Sequence, residues 1–146
     1  MCLMSQGVPI KVAIKNFWTK FPFSLVVGPL GGVGIKRIKK KDGSGNNQVA
    51  MMAEIYSRYE EIALIIAPEG SRSLRKKWKS GFYYVAQQAK VPIVSLAGDY
   101  SNKTVWFGPV FHGHEPLEEV MKELMVFFKD CVPKYPEGFS LDERYV

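Results

Sequence analysis

Six consecutive residues, Pro68-Glu69-Gly70-Ser71-Arg72-Ser73, combine groups that can hold a phosphate ester beside an acid. Arg72 carries a planar guanidinium that forks two hydrogen bonds to one anion, which a lysine cannot do. Ser71 and Ser73 each supply a hydroxyl donor. Gly70 lets the backbone approach a ligand with no Cβ in the way. Glu69 lies just past the apolar run Ile62–Ala67, not where a core residue belongs. Further along, Lys79 and Gly81 precede a helical stretch, and the N-terminal amides of a helix favour an anion. A turn braced by a structural Glu69–Arg72 pair explains the same hexapeptide without a ligand. Residue chemistry alone weighs the two equally.

Charge is distributed in a way that bears on this choice. The net charge is +6, but residues 1–111 carry 16 Lys+Arg against 6 Asp+Glu, whereas residues 112–146 carry 4 against 8. Half of the 20 basic residues fall in two acid-free segments: Lys36, Arg37, Lys39, Lys40, Lys41 and Arg72, Arg75, Lys76, Lys77, Lys79. Such clusters imply an anionic partner unless they are solvated loops, and both abut glycine-rich turns.

Other chemistry is poorly supported. The glycines of Gly28–Gly34 fit neither G-x-G-x-x-G nor G-x-x-x-x-G-K-[ST], so a tight turn is the expectation. His112 and His114 are the only histidines, and no third histidine or thiolate pair completes a metal set. Cys2 and Cys131 lack CxxC spacing, which points to reduced thiols and a cytoplasmic setting. The longest uncharged stretch, Phe21–Ile35, has 15 residues, including Pro22, Pro29 and four glycines. A spanning helix needs about 20 apolar residues, and no signal peptide is evident.

The elements that must position these groups follow from hydrophobic periodicity. Ile10–Lys15 alternates as a half-buried strand does. Phe17–Leu25 suits a helix, and Val33–Ile38 a short strand. Val49, Met52, Ile55, Tyr56 and Tyr59 recur at helical spacing behind a cap at Asn46 or Asn47. Ile62–Ala67 is patterned like a strand buried on both faces. Gly81–Ala89 suits a helix, while Val91–Leu96 and Thr104–Phe107 suit strands. Leu117, Val120, Met121, Leu124, Phe127 and Phe128 form the apolar stripe of a C-terminal helix over about 115–131, with Glu115, Glu118 and Glu119 near its start. Alternating strands and helices predict one α/β domain over 1–146, with a mixed, mostly parallel sheet flanked by helices. Met1–Gln6, Gly7 and Pro9 resemble the end of a helix whose beginning is missing, so an N-terminal truncation is expected.

The run Ile65-Ile66-Ala67-Pro68-Glu69-Gly70-Ser71-Arg72-Ser73 resembles the third motif, F-P-E-G-T/S-R-S, of the glycerolipid acyltransferases, the 1-acyl-sn-glycerol-3-phosphate acyltransferase family. Gly32-Val33-Gly34-Ile35-Lys36-Arg37 is similar to the second motif. Val91-Pro92-Ile93-Val94 resembles the fourth, an apolar strand associated with the acyl side. Trp78-Lys79-Ser80-Gly81-Phe82 resembles the K-x-G segment between the third and fourth. The resemblance spans about residues 8–111 in family order; the third motif is fairly specific, and the second and fourth are weak alone.

The resemblance implies transfer of a fatty acyl group from acyl-CoA or acyl carrier protein to the hydroxyl of a lysophospholipid or glycerol-phosphate acceptor, as in phospholipid biosynthesis. It implies no metal or other cofactor. Arg37, Glu69, Gly70, Ser71 and Arg72 would hold the acceptor phosphate and shape the site, supplemented by Lys79. The family's first motif, His-x4-Asp, supplies the general base, and no histidine precedes His112. His114 and Glu119 form an H-x4-E, but at the wrong end of the order. The expectation is therefore an acyltransferase domain with no catalytic residue in this chain.

Peripheral association with an anionic membrane surface, on its cytoplasmic face, would follow from the basic clusters and from Phe17, Trp18, Phe21 and Phe23, unless these aromatics are core. Uncovered strands would favour self-association. Two other classes compete: a non-catalytic module that binds lipid phosphate or acyl carrier protein, and a basic nucleic-acid binder. The second lacks any recognisable motif, so no nucleic-acid partner is expected.

Overall fold

The computed structural model describes residues 10–15, 32–35, 46–71 and 73–146. The chain divides into two compact units, Met1–Ala67 and Pro68–Val146.

In the first unit, β1 (Ile10–Lys15) lies between β2 (Gly32–Ile35) and β3 (Ala63–Ile65), and pairs with both in parallel. Val12 stands opposite Gly32 on one side and Ile65 on the other. Parallel neighbours need long connections; here α1 (Asn46–Tyr56) lies between β2 and β3 in sequence. The helix begins at Asn46, so both asparagines expected as its cap lie within it, and it buries Ala53 and Ile55. Burial pushes the Tyr56 hydroxyl pKa up, and a backbone hydrogen bond at Leu64 partly offsets this.

The strand expected over Ile62–Ala67 is only three residues long and is not buried on both faces. Ile65 is 45% exposed. The physical reason is its place in the sheet: among the described residues β3 pairs with β1 alone, at the end of the order β2-β1-β3.

The second unit contains α2 (Gly81–Ala89), β4 (Ile93–Asp99), β5 (Thr104–Phe111), α3 (Leu117–Phe128) and a 3₁₀ turn, Pro136–Gly138. β4 and β5 form an antiparallel hairpin. The α/β class therefore stands, but a single, mostly parallel sheet does not. Among the described residues parallel pairing is confined to β1–β3, and the hairpin is a separate sheet.

The cause is local. Only Tyr100–Lys103 separates the two strands, and a parallel crossover needs a dozen or more residues. Asp99, buried at the end of β4, organises that turn. Its carboxylate accepts hydrogen bonds from Ser101 N (2.9 Å), Ser101 Oγ (2.7 Å), Asn102 N (3.2 Å) and Asn102 Nδ2 (2.8 Å). The bond from the Ser101 hydroxyl, followed by that from Asn102, holds its pKa below the ordinary carboxylate range.

The core of this unit joins Trp78, Tyr83, Phe111, Val120, Met121, Leu124 and Met125. The C-terminal helix buries the expected Val120, Met121 and Leu124, while Leu117 and Phe128 pack at the margin. β5 approaches α3 closely at Gly108, where a Cβ would stand 2.5 Å from the Phe127 ring. The opposite face of the hairpin is apolar yet exposed: Val94, Val105, Phe107 and Val110 are each at least 47% accessible.

Candidate phosphate-binding loop

The segment from Pro68 to Ser80 precedes α2, and it closes on itself. The Lys79 amide donates to the Pro68 carbonyl at 2.8 Å, bringing the end of the second basic segment back to the start of the hexapeptide. Between them Gly70 adopts φ +59°, a left-handed conformation that favours glycine. The vacant space at Gly70 is filled by Lys79. A Cβ built on Gly70 would lie 2.9 Å from Lys79 Cδ and 3.0 Å from Nζ. The Lys79 side chain thus lies across the Gly70 backbone with its ammonium at the turn. That ammonium has no ion-pair partner among the described residues.

Beyond the glycine, Ser71 Oγ and Ser73 Oγ are 2.8 Å apart, and Ser73 N donates to Ser71 Oγ at 3.2 Å. Gly70, Ser71, Ser73 and Lys79 are solvent-exposed, and Glu69 is half-buried. The loop therefore offers hydroxyls and an ammonium to solvent around a backbone without a Cβ. These are the parts an oxyanion needs. Ser80 stands at the start of α2 without a side-chain capping bond.

Of the residues expected to form a phosphate site, Glu69, Gly70, Ser71 and Lys79 fall within this loop, with Gly70 and Lys79 in direct apposition. Arg37 and Arg72 lie outside the described residues. So do the helix expected over Phe17–Leu25, the end of the strand expected over Val33–Ile38, the basic segment Lys36–Lys41 and the helix end at Met1–Gly7.

The backbone under Lys79 is held by residues that periodicity and motif spacing did not single out. Trp78 N donates to Asp142 Oδ2 at 2.8 Å, and Trp78 Nε1 to the Ser140 carbonyl at 2.9 Å. Arg144 Nη2 donates to the Trp78 carbonyl at 2.8 Å and to Asp142 Oδ2 at 2.6 Å, while Arg144 Nε reaches Asp142 Oδ1 at 2.9 Å. Glu143 N donates to the Lys76 carbonyl at 3.0 Å, and the two side chains pair at 2.8 Å. Asp142 is completely buried, and the Arg144 guanidinium beside it holds its carboxyl below the ordinary range. Phe139, Leu141 and Tyr145 anchor this strap to the core. The alternation of Phe139 and Leu141 with Ser140 and Asp142 is the signal that could have marked an extended, half-buried segment.

The histidines occupy a structural turn. Their rings stack with centroids 6.3 Å apart. Glu115 accepts from His112 N at 3.0 Å and Gly113 N at 2.9 Å, and the His112 amide leads in drawing its pKa down. His114 Nε2 lies 3.5 Å from Glu115 Oε1, so its nearest carboxylate is already committed to the backbone. Tyr83 Oη donates to the Glu115 carbonyl at 2.9 Å and Gln87 Nε2 to the Gly113 carbonyl at 3.3 Å, which ties the turn to α2. Among the described residues no three His, Cys, Asp or Glu side chains are grouped to hold a metal ion. Nor is any described helix long and apolar enough to cross a membrane.

Comparison with protein-family models, curated proteins and solved structures finds no match for the chain.

Proposed function

We propose that the chain binds the phosphate of a lysophospholipid or glycerol-phosphate acceptor, as part of an acyltransferase that uses acyl-CoA or acyl carrier protein as donor. The observation that carries this reading is the apposition of Lys79 and Gly70. It places the ammonium of the K-x-G segment on the glycine of the Pro68–Ser73 motif, two segments separate in sequence that the resemblance assigns to one site. In the proposed complex the phosphate displaces solvent above Gly70. Lys79 neutralises it and the Ser71 and Ser73 hydroxyls donate to it; Arg37 and Arg72, which the resemblance assigns to the same phosphate, lie outside the described residues. Glu69, half-buried within the loop, shapes the acceptor side. No metal or other cofactor has a part in the reaction.

Acyl transfer also needs a group to take the proton from the acceptor hydroxyl as it attacks the thioester. No histidine precedes His112, and Glu115, the carboxylate nearest His114, is occupied by backbone amides. Loss of a general base costs about 10²–10⁴ in rate. The 146-residue chain is therefore expected to release free CoA from acyl-CoA and lysophosphatidic acid no faster than background. A non-catalytic lipid-phosphate binder is the second reading, favoured by the commitment of Glu115 to backbone amides beside His114. Peripheral contact with an anionic membrane belongs to either; the exposed Val94, Val105, Phe107 and Val110 support it.

The test is binding of lysophosphatidic acid against a phosphate-free monoacylglycerol. The phosphate ligand is expected to bind preferentially, and Lys79→Met to weaken it about tenfold, as loss of one charge-assisted hydrogen bond would. Equal binding of the two lipids would refute the proposal.

A further inference from the structure

We propose that Arg144, held by Asp142, is a positioning residue for the phosphate: it fixes the Trp78–Lys79 peptide and so sets Lys79 over Gly70. The inference rests on the phosphate reading of this loop and adds to it a C-terminal element outside every motif considered above.

Both polar ends of that peptide are engaged. Its carbonyl accepts from Arg144 Nη2 at 2.8 Å, and its N–H, on Lys79, donates to the Pro68 carbonyl at 2.8 Å. Rotation of the peptide would break both bonds together. The preceding N–H, on Trp78, is taken by Asp142 Oδ2 at 2.8 Å. Arg144 cannot easily shift, because its Nε and Nη2 grip both oxygens of the buried Asp142 carboxylate at 2.9 and 2.6 Å. This fork is a geometry only arginine provides, since one guanidinium spans a carboxylate and still reaches a carbonyl. A lysine in its place keeps the charge but loses the fork. A long side chain such as Lys79 has many rotamers, and a fixed backbone beneath it reduces the ordering required when the ligand binds.

Arg144 is the residue to perturb, because its side chain is 44% exposed whereas that of Asp142 is fully buried, and Arg144→Lys keeps a charge beside that carboxylate. The experiment uses the full chain and the Arg144→Met, Arg144→Lys, Lys79→Met and Arg144→Met/Lys79→Met variants. Two quantities are read: the Kd for glycerol 3-phosphate by calorimetry, and hydrogen exchange of the Lys79 amide. Arg144→Met is expected to raise Kd about three- to tenfold, the range for one hydrogen bond, and to speed exchange at Lys79 more than at core amides of α3. Arg144→Lys is expected to recover less than half of the affinity lost. In the Lys79→Met background, Arg144→Met is expected to leave Kd unchanged, because the residue it positions is gone.

Wild-type exchange at Lys79 and wild-type Kd in Arg144→Met would overturn the inference. So would an equal rise in Kd with and without Lys79, which would mark a general structural role. If the wild-type chain fails to bind glycerol 3-phosphate while Arg144→Met still speeds Lys79 exchange selectively, the phosphate reading falls and the strap's control of the Lys79 backbone survives it.

Discussion

Replacing Gly70 by alanine separates the stability of the loop from its proposed use. Gly70 sits at φ +59°, where a Cβ costs about 1–2 kcal/mol. The added methyl would also stand 2.9 Å from Lys79 Cδ and 3.0 Å from Lys79 Nζ, nearer than such atoms can remain. Lys79 is a flexible, exposed side chain, so it should swing away at little cost to folding. Gly70→Ala is thus expected to lose about 1–2 kcal/mol in urea unfolding. Glycerol 3-phosphate affinity should fall about tenfold, because the ammonium has left the turn. Gly70→Asn sharpens the test. Asparagine tolerates the left-handed region better but still carries a Cβ. It should recover part of the stability and none of the affinity. Gly70→Ala with wild-type affinity would show that Lys79 plays no part in binding. A further tenfold loss in a Lys79→Met background would show that glycine itself, not the lysine it accommodates, is what the ligand needs.

Asp142→Ala removes the carboxylate that accepts from the buried Trp78 amide and orphans Arg144; about 3 kcal/mol of stability should be lost, below the full cost of a buried pair because Arg144 is partly solvated. Acid should destabilise the second unit through the same group. The folded Asp142 carboxyl lies below its ordinary value of 3.8, so its contribution is complete above that value and is lost as pH falls through the depressed folded pKa. Asp99 acts in the same direction, and Asp142→Asn should flatten the acid limb of a melting-temperature profile. Gly108→Ala should cost about 1–3 kcal/mol, since its Cβ would stand 2.5 Å from the Phe127 ring, and Phe127→Ala in the same chain should relieve the strain.

Periodicity located several elements well. Ile10–Lys15 and Gly81–Ala89 fall where alternation and helical spacing place them, and the Val120, Met121, Leu124 stripe is the buried face of the last helix. It misjudged β3, because an apolar run is the same string in a central strand and at the end of a sheet, and Ile65 is exposed. It also missed the hairpin, although the signal was there: the seven residues left between the strands expected to end at Leu96 and begin at Thr104 are already too few for a parallel crossover. The glycine and lysine of the candidate loop were legible as residue types with a chemistry. Their apposition was not, because it depends on φ at one residue and on one backbone bond from Lys79 to Pro68. The alternation over Phe139–Asp142 could mark the strap as extended, but not its pairing: its partner, Trp78, lies more than sixty positions away, and no local pattern encodes that contact.

The central claim is that the loop from Pro68 to Lys79 holds a phosphate monoester. Titration of the isotope-labelled 146-residue chain with glycerol 3-phosphate, with glycerol as control, tests it residue by residue. The account predicts saturable amide shifts at Glu69, Gly70, Ser71, Ser73 and Lys79, absent with glycerol and abolished by Lys79→Met. Saturable shifts that leave these amides unmoved, or no difference between the phosphate ester and glycerol, would contradict it.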